Sequence, residues 1–236
     1  GLPKHFTLGD YLRKNGFGQS MQQAYLLPMA AAIWSCPTET MLQFPVQSFL
    51  QFFANHGLLN INDRPQWRTV INGARSYLDK IVALKRFAVY QHGVTEVALG
   101  EKAGHTVSLR SSDGQTHIFD HVIFACHADE AYALLKDPAF ALLENFTYQH
   151  NCAWLHTDPA QMPKNSLAWA AWNYASGTND QAQRAVAVTY WMNTLQPLNT
   201  KENIFVTLNP VVEPRADAVL KKIDYQHPVF DPQAIQ

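Results

Sequence analysis

The sequence predicts an α+β protein, a mainly antiparallel or mixed sheet with helices on one face. Three observations predict it. Apolar side chains recur at helical spacing through about the first 84 residues. Near residue 85 the apolar period changes from about 3.6 to about 2. Most of the remainder alternates in short runs divided by Gly, Pro, Asn and Asp. With 236 residues, 47% hydrophobic and 16% charged, the chain can bury a substantial core and is too apolar to be disordered. Three stretches are expected: a helical one over 1–69, a small one over 70–127, and a sheet with helices over 128–236.

Thr7 is placed to cap a short helix running to Asn15, its side-chain oxygen accepting from an N–H of the first turn, with Asp10 near the helix's positive end. Gly16 and Gly18 bracket a turn. Residues 19–27 then continue as helix up to Pro28, which lacks an N–H and is expected to interrupt or kink the run. After Ser35-Cys36-Pro37, Thr38 is the expected cap of a second helical stretch, with Glu39 in its first turn and Pro45 breaking it. Phe44, Val46, Phe49, Leu50, Phe52 and Phe53 give that stretch a dense apolar face. Core packing accounts for such a face, and so does the wall of a passage for an apolar substrate or an interaction surface. Residues 55–68 read as a polar loop, and Gly73 precedes a helix over 74–84.

Short strands are expected at 87–90, 94–99, 105–109 and 116–119, with Asp113-Gly114 as a hairpin turn. Residues 120–126 read as a buried strand, because Val122-Ile123-Phe124-Ala125 is apolar without alternation and suits a sheet covered on both faces. Helical segments follow at 128–135 and 138–145. Strands are then expected at 149–156, 167–174, 186–191, 204–208 and 222–225, with loops at 158–165 and 177–183. Their alternation fits an antiparallel sheet with one packed face. Pro214 is suited to start a short helix over 215–220.

Lys and Arg number 18 and Asp and Glu 19, a formal charge of −1, so the chain has no general attraction for nucleic acid or acidic lipid. No apolar run approaches the ~18 residues of a membrane span, and Gly1-Leu2-Pro3-Lys4-His5 lacks a signal peptide's apolar centre. The expectation is a cytoplasmic protein without a transmembrane segment or a nucleic-acid partner. Cys36, Cys126 and Cys152 are widely spaced and odd in number, which suits reduced thiols better than a disulfide framework. No CxxC pair and no two histidines on one helical face mark a metal site, so none is expected. Adjacency does not make Cys126 and His127 a nucleophilic pair, since neighbouring strand side chains point to opposite faces.

The segment Trp67-Arg68-Thr69-Val70-Ile71-Asn72-Gly73-Ala74-Arg75-Ser76-Tyr77-Leu78, then Val94-Thr95-Glu96-Val97, the Asp113-Gly114 turn and Asp120-His121-Val122-Ile123-Phe124-Ala125-Cys126-His127, resembles the middle of flavin-containing amine oxidases and related desaturases. Tyr25-Leu26-Leu27-Pro28-Met29, Asn55-His56-Gly57-Leu58-Leu59, Asp63-Arg64-Pro65-Gln66-Trp67-Arg68, Leu155-His156-Thr157-Asp158 and Val188-Thr189-Tyr190-Trp191-Met192-Asn193 are similar, in kind and order, to segments of bacterial predicted NAD/FAD-binding proteins of that superfamily. The ordered set carries the resemblance and spans nearly the whole chain. It implies FAD-dependent oxidation or desaturation of a bulky apolar or amine substrate, with hydride or its electron equivalent passing from a substrate C–H bond to the flavin. Residues 70–127 would then be part of an FAD-binding domain, and 1–69 with 128–236 the substrate domain. The superfamily's opening strand, GxGxxG turn and helix have no counterpart here, since Gly1, Gly9, Gly16 and Gly18 lack that context. Its closing flavin-binding segment has none either. The chain is therefore expected to be an internal piece, inactive alone, of a protein that holds FAD when intact.

The same resemblance brings the backbone of Val94 to the adenine ring. Trp67 would stack on flavin or substrate and Arg68 would set a charge beside a flavin carbonyl or an anionic substrate; the alternative is a partly buried tryptophan beside a solvated loop arginine. Cys126 and His127 are cofactor-binding candidates at the end of the expected buried strand, and His127 serves equally as a helix cap. Trp169, Trp172, Tyr190 and Trp191 are candidates for the wall of a substrate pocket and His56 for its entrance, against ordinary packing and loop hydrogen bonding. No catalytic residue stands out. Two other functions stay open: a non-catalytic binding or interaction module derived from the flavoprotein fold, and a cofactor-independent isomerase or hydrolase using the aromatic pocket and histidines.

Overall fold

A computed structural model describes residues 6–34, 36–60, 62–63, 65–100, 106–178 and 184–229. The chain forms two units, Gly1–Tyr77 with Tyr148–Gln236, and Leu78–Thr147. Ser35, Arg64, His105 and residues 179–183, which figure in the expectations above, lie outside the described residues.

The first unit opens with α1 (Leu8–Lys14), α2 (Gln19–Met21), α3 (Leu27–Trp34), α4 (Thr38–Leu42) and α5 (Val46–Asn55). Thr7 caps α1 as expected: its Oγ1 accepts from Asp10 N at 3.1 Å, while the Asp10 carboxylate accepts from Thr7 N at 3.1 Å. Pro28 does not end the helix. A π-helical turn over Gln22–Leu26 joins α2 to α3, and Leu27 N bonds back to Gln22 O across five residues. The wider turn absorbs the register change at the point where a proline ring would otherwise meet a preceding carbonyl. Thr38 is the first residue of α4 rather than its cap; Pro37 holds the cap position, and the Thr38 hydroxyl donates to Glu39. Leu8, Leu12, Met41, Val46, Phe49 and Phe53 close a helical core, with the Trp34 ring 4.7 Å from Phe44 and 4.8 Å from Phe52. Phe49 and Phe53, in the middle of the dense apolar face, are therefore core residues.

The helix α6 (Gly73–Ala83) carries the chain into the second unit, where β1 (Val94–Leu99), β2 (Val107–Ser111) and β3 (Thr116–Phe119) form an antiparallel sheet in the order β1-β2-β3. Gly114 sits in the β2–β3 turn at φ 83°, the left-handed conformation that the expected Asp-Gly turn requires. The helix α7 (Ala128–Leu135) and a 3-10 segment over Pro138–Asn145 follow. Two expected strands are absent. Residues 87–90 pair with nothing among the described residues, and Phe87, Val89 and Tyr90 are half or more exposed. Residues 122–126 likewise join no described sheet, and Ile123 is 91% exposed. An apolar run supplies side chains for a core but no partner for its own N–H and C=O groups, and a strand exists only where a neighbour satisfies them.

Back in the first unit, β4 (Thr147–His156), β5 (Trp172–Thr178), β6 (Arg184–Trp191), β7 (Phe205–Leu208) and β8 (Val219–Val229) make a five-stranded sheet in the order β5-β6-β7-β4-β8. β5–β6, β6–β7 and β7–β4 are antiparallel. A short α8 (Met192–Leu195) follows β6. Register divides the side chains between the faces. Leu155, Val206, Tyr190 and Trp172 form one row, and Trp154, Thr207, Thr189 and Asn173 the row behind it. Val186, on the first face, packs into the helical core, so the helices cover that face. The fold is thus α+β with antiparallel sheets and helices on one face.

Several boundaries differ from expectation. The strand placed at 167–174 starts at Trp172, because Asn165 instead accepts from Leu167 N at 3.0 Å and starts a 3-10 turn over Ser166–Ala168. Gly177 and Thr178, placed in a loop, extend β5. The helix placed at 215–220 shrinks to a 3-10 turn over Ala216–Ala218, and β8 begins at once.

Candidate functional site

The second unit gathers several candidates in one place. The β1–β2 register slips between Val94 and Glu96. Such a bulge returns a side chain to the opposite face, so Val94 and Val97, three residues apart, both point the way of Leu109 and Ser111. With Ile123 and Cys126 from residues 122–126 and Leu134 from α7, they line an apolar trough of about 620 Å³. Val94 is 41% exposed and Cys126 is exposed. The hairpin beneath is fixed by Asp113, whose Oδ1 accepts from Ser111 Oγ and, at 3.2 Å, from Gln115 N. The Ser111 hydrogen bond, more than His92 at 3.7 Å, holds the Asp113 carboxyl below the usual carboxylate range. Ser111, Asp113 and His92 do not form a nucleophilic triad, since the serine hydroxyl donates to the carboxylate and not to the imidazole. His127 is the N-cap residue of α7, its N–H donating to Glu130 Oε2 at 3.2 Å.

Trp67 and Arg68 belong to the first unit and are exposed, Trp67 at 66%. His56 caps the C-terminus of α5 and stacks on Phe52 at 3.9 Å. Its Nδ1 lies 2.8 Å from Phe52 O, and a carbonyl only accepts, so Nδ1 carries the proton. Trp169 ends the 3-10 turn before β5 and is not a strand residue, and the four aromatic candidates separate into two groups. Trp172 meets Tyr190 edge-on at 5.4 Å on the helix-covered face, while Trp169 meets Trp191 at 5.3 Å and Phe205 at 5.8 Å on the other. Tyr190 and Trp191 are consecutive in β6, so strand alternation keeps the pairs apart. Burial pushes the Tyr190 phenol up.

The chain matches no protein-family model, and no curated protein is found to be similar to it. Among the described residues no helix is long and apolar enough to cross a membrane, and no group of three or more His, Cys, Asp or Glu side chains is disposed to hold a metal ion.

Two polar clusters carry no signal in the sequence pattern. On the face away from the helices, Asp158 N donates to His156 Nδ1 at 3.1 Å, and His156 Nε2 lies 2.7 Å from Thr207 Oγ1. Thr207 Oγ1 lies 2.9 Å from Thr189 Oγ1, which donates to Gln161 O at 3.2 Å. The ends fix every direction: an amide N–H only donates and a carbonyl only accepts, so Nδ1 accepts, Nε2–H donates, and each hydroxyl passes its proton along. His156 is therefore neutral, and burial lowers its pKa below 6.5 against the pull of Asp158. The second cluster joins β4 and β8. His150 Nε2 lies 3.1 Å from Asp224 Oδ1, and the Cys152 thiol is held protonated by burial and then by its hydrogen bond to Asp224. A carboxylate shared in this way suppresses the thiolate that nucleophilic chemistry needs.

Proposed function

We propose that this chain is the substrate-facing part of an FAD-dependent oxidoreductase of the flavin-containing amine oxidase type, acting on a bulky apolar or amine substrate. One observation carries the proposal. Val94, which the family resemblance assigns to the cofactor, and Cys126, a cofactor-binding candidate from its place just before α7, line the same apolar trough. The trough suits one end of the cofactor. Its walls are mainly aliphatic, with Phe124 and Glu130 among them, a surface suited to a flat adenine ring, and among the described residues the backbone of 122–126 forms no hydrogen bonds with other backbone, leaving N–H and C=O groups for a ring edge. The sequence holds no GxGxxG run of the kind that cradles a pyrophosphate, so the proposed fit is to adenine. When bound, the flavin would supply the redox chemistry, accepting two electrons from a substrate C–H bond. The trough residues are assigned to holding adenine, and none of them to the redox ring.

The test is a titration of the protein expressed from its complete gene, followed by flavin absorbance and fluorescence. FAD is expected to bind and adenosine diphosphate to compete with it, while riboflavin competes poorly. Val94→Arg, which puts a charged chain across the trough mouth, is expected to weaken FAD at least about tenfold, the effect of ~1.4 kcal/mol. Failure of both FAD and adenosine diphosphate to bind would remove the proposal.

A further inference from the structure

The first unit holds a hollow on the sheet face away from the helices. Its floor is Asn173, Ala175, Ala187 and Thr189, and the ladder sets Ala175 opposite Ala187. Two methyl groups therefore stand side by side on a surface where the row beyond Asn173 and Thr189 carries the bulk of Trp191 and Phe205. The loop at 158–163 and the loop at 211–215 supply the walls. Gly177 lets the second wall approach: a Cβ there would lie 2.4 Å from Val211 Cγ1, so the valine nests against bare backbone. The first wall is tied at both ends, with Asp158 N on His156 and Gln161 O on Thr189. The half-open hollow has a volume of about 570 Å³, within the ~300–1,000 Å³ of small-molecule pockets.

The chemistry of the lining restricts what can enter. The polar atoms of the floor are engaged within the protein. Asn173 Oδ1 accepts from Ala170 N, its Nδ2 donates to Ala170 O and Thr189 O, and the Thr189 hydroxyl is bonded to Gln161 O and Thr207. The rest of the lining is largely apolar, the two alanines with Met162, Val211 and Val212, joined by Tyr174 and Gln161. At the rim, Glu213 is exposed, and the exposed Arg215 guanidinium lies 3.7 Å from the buried Asp158 and 3.6 Å from Asp217. Three carboxylates, Asp158, Glu213 and Asp217, therefore surround one guanidinium, and a bound anion would lose its water to enter a region of net negative charge.

We infer that this hollow is a binding site for a small, uncharged, largely apolar molecule. It lies wholly within the first unit and does not depend on flavin binding. The test uses the full chain with benzyl alcohol and benzoate as probes of equal size, read by methyl and amide NMR shifts. Benzyl alcohol is expected to give saturable shifts at Ala175, Ala187 and Val211, and benzoate to bind about tenfold more weakly. Ala187→Leu fills the floor and is expected to abolish the benzyl alcohol shifts while the spectrum stays dispersed. Glu213→Gln, on the exposed rim, covers the case in which the leucine variant fails to fold: it is expected to leave benzyl alcohol unchanged and to narrow its advantage over benzoate. Absence of saturable shifts, their persistence in a folded Ala187→Leu variant, equal binding of the two probes, or a preference unmoved by Glu213→Gln would each overturn the inference.

Discussion

His156 shows how one side chain can set a condition on the whole fold. It is fully buried, its two ring nitrogens are committed to opposite roles, and the accepting nitrogen faces an N–H that cannot turn away. A second proton would set two donors against each other at Asp158 N. The folded pKa therefore lies below 6.5, chiefly through burial, while the unfolded chain keeps the ordinary value. As pH falls through 6.5 the unfolded state takes up a proton that the folded state refuses, so stability present above that pH is lost below it. Asp158 acts in a separate, lower window. Burial would raise its carboxyl, but the N–H groups of Arg215 and Ala160, with the guanidinium, hold it below 3.8. Melting temperature is expected to fall between about pH 6.5 and pH 5, and His156→Gln, which cannot titrate, to flatten that decline. An unchanged slope in the glutamine variant would remove His156 as its source. None of this was legible in the sequence. Thr189, Thr207 and His156 are polar residues in alternating strands, a pattern that ordinarily marks the wet face. Here the loop at 158–163 covers that face, and nothing local to the strands announces the cover.

Elements were most legible where local chemistry alone settles them. Thr7 with Asp10 starts α1 and Asp113-Gly114 turns the β2–β3 hairpin, because caps and turns are satisfied within four residues. Thr7→Ala removes the oxygen that accepts Asp10 N, and the expected cost is about 1 kcal/mol, seen as a lower urea midpoint; Thr7→Ser is expected to retain most of it. Equal midpoints for the alanine variant and the parent would mean that packing of Leu8 and Leu12 alone fixes the helix start. Where an element depends on a neighbour, the sequence misleads. Pro28 calls for a break that a π-helical turn makes unnecessary, and residues 122–126 have the composition of a central strand with no strand beside them. The candidate site follows the same division. Placing Val94 and Cys126 at one trough required a bulge in β1, which no residue pattern specifies, whereas the separation of Tyr190 from Trp191 follows from strand alternation alone.

Across the whole molecule, the buried apolar residues are unevenly shared. The first unit holds the helical core and the sheet residues Trp154, Ala187, Val188 and Phe205, whereas Val97, Val107 and Ala131 are the only buried apolar residues described in the second. Apolar side chains are not scarce there. Ile123 is 91%, Leu142 72% and Ile118 67% exposed, so the second unit has the composition of a core without the burial. Burial of one such side chain contributes roughly 1.5–3 kcal/mol, and a stretch of this length with three of them has little to set against its chain entropy. Stability is therefore expected to differ between the units rather than to be lost in one transition. Hydrogen exchange followed by mass spectrometry resolves this directly. Amides of β1 and β2 are expected to exchange at least about tenfold faster than those of β7, a gap of ~1.4 kcal/mol or more, and Ile123→Lys to leave both rates unchanged because its side chain buries almost nothing. Equal protection of β2 and β7 would show that three buried residues suffice. A ligand seated in the trough beside Val94 would slow exchange in β1 and leave β7 as it was, since only the weaker unit would gain contacts.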